Sequence, residues 1–144
     1  MSLPKSIRLE FVTPERPLAA EEVDEVVLPG EDGDFGVLPG HAPLLAALRI
    51  GMMWYRKGTE RHYAFLNGGF AEVLPERVSV LAQIAERAED IDEARAEAAK
   101  RRAEERLAKA AAINEADYEA ARLSAMRAIA RLQISRHSRR RACR

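Results

Sequence analysis

The sequence predicts a chain in two parts: a mostly β sandwich or barrel of short antiparallel strands over residues 1–85, and a C-terminal two-helix antiparallel hairpin over residues 86–144. Apolar and polar residues alternate in the first part, and Gly and Pro residues interrupt it at short intervals. The second part contains no Gly or Pro and is dominated by Ala, Glu, Arg and Leu. Alternation with frequent turns is typical of β-sandwiches and barrels, whereas the second composition is that of good helix formers.

The first part contains several short strand candidates separated by turn residues. Residues 7–11 alternate apolar and polar side chains and predict a strand that ends before Pro14. Further strands are expected at residues 23–28, 49–57, 61–66, 70–74 and 78–82. Gly58 and residues 75–77 are expected to turn hairpins, and residues 67–69, Asn-Gly-Gly, to separate two strands with positive φ angles. Brief strands with regular turns favour a sandwich or barrel.

The second part contains two helix starts. Asp90 can cap the first helix, with Glu93 completing a pair that resembles a capping box and Asp92 favouring the positive end of the helix dipole. The pattern restarts after Ile113, where Asn114 is the expected cap of a second helix. The two helices contain few large apolar residues, so the hairpin should be only marginally stable. Such an element could dock, detach or extend according to what it contacts.

Composition and motifs argue against an enzyme. Lys and Arg number 23 and Asp and Glu number 23, so the net charge favours neither a nucleic-acid nor a membrane-surface protein. The lone Cys143 excludes an intrachain disulfide, and His41, His62 and His137 stand in unrelated contexts without metal-ligand spacing or a triad pattern. No leader-like segment and no apolar run of about 20 residues occurs, so we expect a soluble, unexported protein.

The basic C-terminal tail leaves two alternatives open. Residues 121–144 contain eight arginines and no acidic residue, and five of these arginines follow Leu132. They are Arg136, Arg139, Arg140, Arg141 and Arg144. The tail could contact nucleic-acid phosphates, although it lacks the aromatic residues that stack on single strands and such a run is more often solvated or partner-facing. A β-sandwich adaptor with a dimerising hairpin is the other alternative.

Three ordered motifs resemble the epsilon subunits of F-type, proton-translocating ATP synthases. Residues 34–44 read DFGVLPGHAPL, residues 68–70 read GGF and are followed by Val73, and residues 85–92 read AERAEDID. The resemblance spans nearly the whole chain, and the basic tail is the part without an identified counterpart.

The resemblance implies a non-catalytic rotor subunit of the central stalk. The sandwich would bind the gamma subunit and the c-subunit ring, and the extended hairpin would reach the alpha and beta subunits and restrain ATP hydrolysis. No cofactor would be required, nucleic acid would not be a partner, and membrane association, at the cytoplasmic face of the bacterial cell membrane, would come only through the complex. Residues implied to contact the ring or gamma are Asp34, Phe35, Gly36, Val37 and His41, with Gly33 also allowing close backbone approach.

The resemblance also implies ATP as a regulatory ligand. Residues 91–96 read IDEARA, which matches a motif of those family members that bind ATP. The ATP-binding residues implied are Glu86, Asp92, Arg95, Arg102, Arg127 and Arg131. Arg95 and Arg102 are seven residues apart and Arg127 and Arg131 four apart, so each pair shares one helical face. The alternative is a surface pair between Asp92 and Arg95 and solvated arginines elsewhere.

Overall fold

The computed structural model describes residues 2–110 and 114–143. Contacts divide the chain into a sheet unit, Met1–Arg87, and a hairpin unit, Ala88–Arg144. Ile113 and Arg144, which the sequence patterns singled out, lie outside the described residues.

The sheet unit is built from eight strands around one apolar core. They are β1 Ile7–Val12, β2 Pro17–Val23, β3 Glu25–Gly30, β4 Gly33–Val37, β5 Leu44–Lys57, β6 Glu60–Val73, β7 Arg77–Leu81 and β8 Ala85–Arg87. The strand order is β2-β1-β7-β6-β5-β3-β4, and β8 pairs with β6. Phe11, Leu28, Met53 and Val78 are among the buried core residues. The predicted β-sandwich class is confirmed, although β1 and β7 pair in parallel.

Two strands are longer than the sequence predicted. β5 and β6 each contain 14 residues, and residues 67–69 lie inside β6 rather than between two strands. Gly68 and Gly69 do have positive φ angles, of 71° and 132°. Pairing with β5 nevertheless continues on both sides of these glycines, so they bend one strand instead of ending it. The expected break was wrong because the long β5 partner holds both segments in one ladder.

Three strands were missed, and two of them lie at the sheet's edges. β2 begins at Pro17 and β4 contains Gly33 and Gly36, residues that suggested turns. An edge strand tolerates such residues because one of its edges needs no ladder hydrogen bonds. β8, at Ala85–Arg87, falls where helix was expected, and antiparallel pairing with β6 explains its extended backbone.

The hairpin unit contains two helices, α1 Glu93–Ala110 and α2 Glu115–Ala142, after a short 3-10 turn at Ala88–Asp90. Asp92, not Asp90, caps α1, because its carboxylate accepts the Arg95 backbone N–H at 3.1 Å. Asp90 is instead the last residue of the 3-10 turn that precedes the cap. The predicted Asn114 cap is confirmed, since its side chain accepts the Asp117 backbone N–H at 2.8 Å.

Small residues line the seam between α1 and α2. The buried residues are Ala96 and Ala103 on α1, and Ala121, Ala125, Ala128, Leu132, Ile134 and Ser135 on α2; apart from Ile134, those of α2 recur at alternating spacings of four and three. This spacing places one stripe of α2 along α1, as in an antiparallel coiled-coil pair. Neither helix among the described residues is long and apolar enough to cross a membrane.

Candidate functional site

The segment implied to face a partner forms the edge strand β4. Asp34 is exposed and makes an ion pair with Arg49 of β5, and Gly36 is also exposed. Phe35 is partly buried against the core, whereas the Val37 side chain is fully buried in it. The exposed part of β4 that a partner can reach therefore comes from Asp34, Gly36 and main-chain atoms, while Val37 anchors the strand.

His41 is half-buried in the loop after β4. Its Nδ1 lies 2.6 Å from the Ala42 carbonyl oxygen, and its backbone N–H donates to the Leu38 carbonyl at 3.1 Å. The Gly40 backbone N–H donates to Pro75 O at 2.8 Å and ties this loop to the turn between β6 and β7. These bonds fix the loop between the β4 edge and the start of β5.

A cleft opens beside β4. It encloses about 450 Å³ and is lined by residues 30–35, at the turn between β3 and β4, and residues 44–47 of β5. Its walls combine the acidic turn with the exposed side chains of Leu44 and Leu45. Such a cleft fits an apolar protrusion flanked by polar groups.

An exposed apolar row continues from this cleft across the sheet. We define the apolar row as Val12, Leu45, Ala47, Phe70 and Leu81. Ala47 pairs with Phe70, Phe70 with Leu81 and Leu81 with Val12, so these residues share one face of the sheet. Leu45, two residues before Ala47, lies on that face too and also lines the cleft. Leu45 is 73%, Phe70 59% and Leu81 58% exposed.

Sequence reasoning missed the apolar row. One local signal was available, because Phe70 alternates with the buried Ala71 and therefore points to the same face as the exposed Glu72. An aromatic residue on the polar face of a strand is an indication of a binding surface. The row itself depends on which strands pair, and that pairing joins segments far apart in the sequence.

The six residues implied to bind ATP fall in both units. Glu86 lies on β8 of the sheet unit, opposite Phe65 of β6. Asp92 and Arg95 lie at the start of α1, with one Asp92 oxygen capping the helix. The other three are Arg102 on α1, and Arg127 and Arg131 on α2. The Arg127 guanidinium donates to the Ser124 hydroxyl at 3.1 Å.

The four arginines implied to bind ATP lie on one side of the helix pair. Each of them directly precedes a buried residue of its own helix. The arginines are Arg95, Arg102, Arg127 and Arg131, and the buried residues after them are Ala96, Ala103, Ala128 and Leu132. In an antiparallel pair, the positions one residue before the inward-facing ones lie on the same side in both helices. The hairpin therefore presents four positive charges to one side.

The register of the hairpin places two of these arginines at one level. Glu97 contacts Arg136. Both helices advance ~1.5 Å per residue. Arg102 lies five residues after Glu97 and Arg131 five residues before Arg136, so in the antiparallel pair these two arginines are at the same level. Arg95 lies nearer the start of α1. The arrangement can hold an extended polyanion along the side of the pair more readily than a compact one.

The basic tail is partly used inside the hairpin unit. Arg136 contacts Glu97 at 2.5 Å and Arg139 contacts Glu93 at 3.4 Å. Arg140 and Arg141 are exposed at the end of α2. Two tail arginines thus have intramolecular carboxylate partners, which weakens the nucleic-acid alternative because paired guanidinium groups have less charge to offer phosphates.

Comparison with known proteins assigns the family. The beta-sandwich domain of the ATP synthase delta/epsilon chain matches residues 6–88, and its long alpha-helix domain matches residues 89–136. The chain belongs to the ATP synthase delta/epsilon chain family. Its resemblance to epsilon subunits is confirmed. It is 50% identical to the ATP synthase epsilon chain of Nitratidesulfovibrio vulgaris over 131 residues, 90% of this chain and 96% of that one.

Two further comparisons are consistent with this family. The ATP synthase epsilon chain of Syntrophobacter fumaroxidans is 45% identical over 131 residues, 91% of this chain and 96% of that one. A chain in the cryo-EM structure of the Euglena gracilis mitochondrial ATP synthase, comprising OSCP, F1 and c-ring, matches with a TM-score of 0.78. That match covers 88% of this chain and 79% of the other at 22% identity, and it shows the fold alone.

Proposed function

We propose that the chain is a non-catalytic rotor subunit in the central stalk of a bacterial ATP synthase. Its sheet unit binds the gamma subunit and the c-subunit ring, and it is peripheral to the cytoplasmic face of the membrane, held there through the complex. The observation that carries this proposal is the continuous surface formed by the β4 edge, the cleft and the apolar row. Solved structures with this fold are described as F1 and c-ring or central-stalk and c-ring assemblies, which supports the choice of partners.

The apolar row supplies the binding energy in this proposal. Leu45, Phe70 and Leu81 are each more than half exposed. Burying a Leu or Phe side chain completely is worth ~1.5 to 3 kcal/mol, so burying the exposed parts of these three contributes about 3 to 6 kcal/mol. The polar β4 edge adds directional contacts at the rim. An apolar centre with a polar rim is the usual anatomy of a stable protein interface.

Docking is tested by co-purification of the full chain with gamma and the c-subunit ring. We expect F70E/L81E to lose gamma, because it places two carboxylates in the apolar row. T59E is the matched control, since Thr59 is an exposed residue at the turn between β5 and β6, outside the row. Circular dichroism checks that both variants remain folded. Retention of gamma by folded F70E/L81E at the wild-type level contradicts the proposal.

The hairpin unit is the regulatory element in this proposal. In its extended form it reaches the alpha and beta subunits and restrains ATP hydrolysis, and in its closed form it releases them. The seam supports such a switch, because it buries mainly alanine methyl groups. Each alanine contributes little burial energy, so closed and open arrangements can differ by only a few kcal/mol.

ATP is the proposed ligand of the closed hairpin. Arg102 and Arg131 lie at one level across the helix pair and Arg127 is one turn from Arg131, so these three guanidinium groups complement a triphosphate, while Arg95 lies further along α1. Guanidinium groups bind phosphate through charge-assisted, often bidentate, hydrogen bonds. If ATP binds the closed form more tightly than the open form, it shifts the equilibrium toward the closed form. The shift in free energy cannot exceed the difference between the free energies of ATP binding to the two forms.

ATP binding is tested by calorimetric titration of the full chain and by amide chemical shifts. We expect saturable binding that R127A and R131A weaken at least tenfold, and that GTP does not reproduce. R101A is the matched control, because Arg101 neighbours Arg102 but does not precede a buried residue. E86Q tests the sheet-unit residue separately. Equal weakening by R101A and R131A would show a general charge effect and no site.

Regulation is tested in the assembled enzyme. If ATP closes the hairpin, ATP-dependent activation of hydrolysis should disappear in R127A/R131A. Unchanged activation in a complex that retains the full subunit would refute the regulatory proposal while leaving the docking proposal intact.

A further inference from the structure

Polar contacts between described residues join the end of α2 to the start of α1. The buried Ser135 hydroxyl donates to Glu93 Oε1 at 2.9 Å, and Arg139 Nη1 lies 3.4 Å from the same oxygen. Arg136 Nη2 donates to Glu97 Oε1 at 2.5 Å. We define the latch residues as Glu93, Glu97, Ser135, Arg136 and Arg139.

The latch residues lie together at the open end of the hairpin but are far apart in the sequence. Glu93 and Ser135 are 42 residues apart, and Glu97 and Arg136 are 39 apart. Such contacts can exist only while α1 and α2 lie side by side. By contrast, the ion pair of Glu119 and Arg122 lies within α2 and survives separation of the helices.

Burial makes the Glu93 end of the latch its stronger part. Ser135 is 3% exposed and the Glu93 side chain 23%. A hydrogen bond from a buried hydroxyl to a poorly hydrated carboxylate is costly to leave unmade. The Arg136 contact is more exposed and is therefore sensitive to salt. The family's helical domain matches only to residue 136, so Arg139 lies beyond it.

We propose that the basic end of α2 is an electrostatic latch that holds the hairpin closed and makes its opening depend on ionic strength. The seam itself gives weak, non-directional attraction, whereas the latch residues favour one register and one closed state. The inference rests on the proposed opening of the hairpin, and it gives a role within the chain to arginines that the family resemblance left unexplained. It requires neither nucleotide nor partner subunits.

The test measures distances between spin labels on the isolated full chain without nucleotide. One label is attached to Cys143, which is exposed, and the other to A94C at an exposed position near the start of α1. We expect a single short distance for the parent chain at about 0.1 M salt. E93Q/E97Q should raise the population at long distances about tenfold, because neutral side chains remove both ion pairs. Raising salt to about 1 M should shift the parent chain in the same direction, since the screening length falls to ~3 Å.

Matched variants decide the result. E119Q/R122Q removes an ion pair of α2 that does not cross the hairpin, and should leave the distances unchanged. The exchange E97R/R136E restores opposite charges and should return the short distance that R136E alone loses. Unchanged distances in E93Q/E97Q and at high salt refute the latch, as does equal opening in E119Q/R122Q. Failure of ATP to bind would not alter these outcomes, so the latch and the nucleotide proposal fail separately.

Discussion

Gly69 of β6 lies against the backbone at the end of β7, so replacing it with alanine should strongly destabilise the sheet unit. Its φ angle is 132°, and a Cβ atom there would lie 2.2 Å from the Leu81 carbonyl oxygen and 2.9 Å from the Ala82 Cα. Both obstacles are backbone atoms, which cannot rotate away. Gly33 has the same φ of 132° but open space around its position, and so provides a matched comparison.

The two substitutions separate backbone strain from steric overlap. An L-residue at this φ costs ~1 to 3 kcal/mol, of which ~0.4 to 1 kcal/mol is offset by the lower entropy of the unfolded chain. We therefore expect Gly33→Ala to lower the free energy of unfolding by about 1 to 2 kcal/mol. Gly69→Ala adds overpacking of ~1 to 3 kcal/mol against a rigid neighbour, for a total of about 2 to 5 kcal/mol.

Urea unfolding followed by tryptophan fluorescence measures this difference. Trp54 is the single tryptophan and lies on β5, so its signal reports the sheet unit alone. Equal losses in the two variants would refute the reasoning, because overlap at Gly69 would then contribute nothing. Gly69→Ala should also weaken the proposed binding of gamma at temperatures where the sheet unit stays folded, since Phe70 and Leu81 flank the site of the overlap.

Two further predictions concern the hairpin unit. Asp92→Ala should lower its stability by about 1 kcal/mol in thermal unfolding followed by circular dichroism, whereas Asp90→Ala should change it by at most a few tenths, because only Asp92 caps α1. The pKa of Glu119 should lie below its ordinary 4.5, because Arg122 donates a hydrogen bond to its carboxylate on the exposed surface of α2. Since the folded-state pKa is lowered, the pair stabilises α2 above the ordinary value and its contribution is lost as pH falls through the folded-state pKa. Carboxyl NMR titration checks this, and an ordinary pKa in the parent chain, or one that stays low in R122Q, would contradict it.

Local patterns in the sequence predicted the fold class and the second helix cap. Alternation in β1 and the polar side chain of Asn114 act over a few residues, so they can be recognised without the tertiary structure. The start of α1 was misplaced because Asp90 and Asp92 are both capping residues by type. Only the 3-10 turn before Asp92 distinguishes them.

Features that depend on pairing between distant segments could not be predicted in this way. The glycines in β6 suggested a break, and only the long β5 partner shows that the strand continues. The apolar row likewise unites Val12 with Phe70 through β7. Helical spacing predicted which arginines share a face within each helix, whereas their common side follows from the antiparallel packing of the two helices and their level from its register. That register is visible in the contact of Glu97 with Arg136.

The alanine seam also determines which side chains become exposed to water in the proposed opening of the hairpin. Separating the helices would uncover mainly small methyl groups, together with the larger Leu132 and Ile134 of α2. Large contiguous apolar patches promote aggregation, and a row of alanines is a poor one. We therefore expect an open hairpin to aggregate less readily than one with a seam of large apolar residues. A seam of leucines would stabilise the closed form more and would expose larger apolar side chains on opening, so alanine reduces the free-energy difference between the two proposed forms.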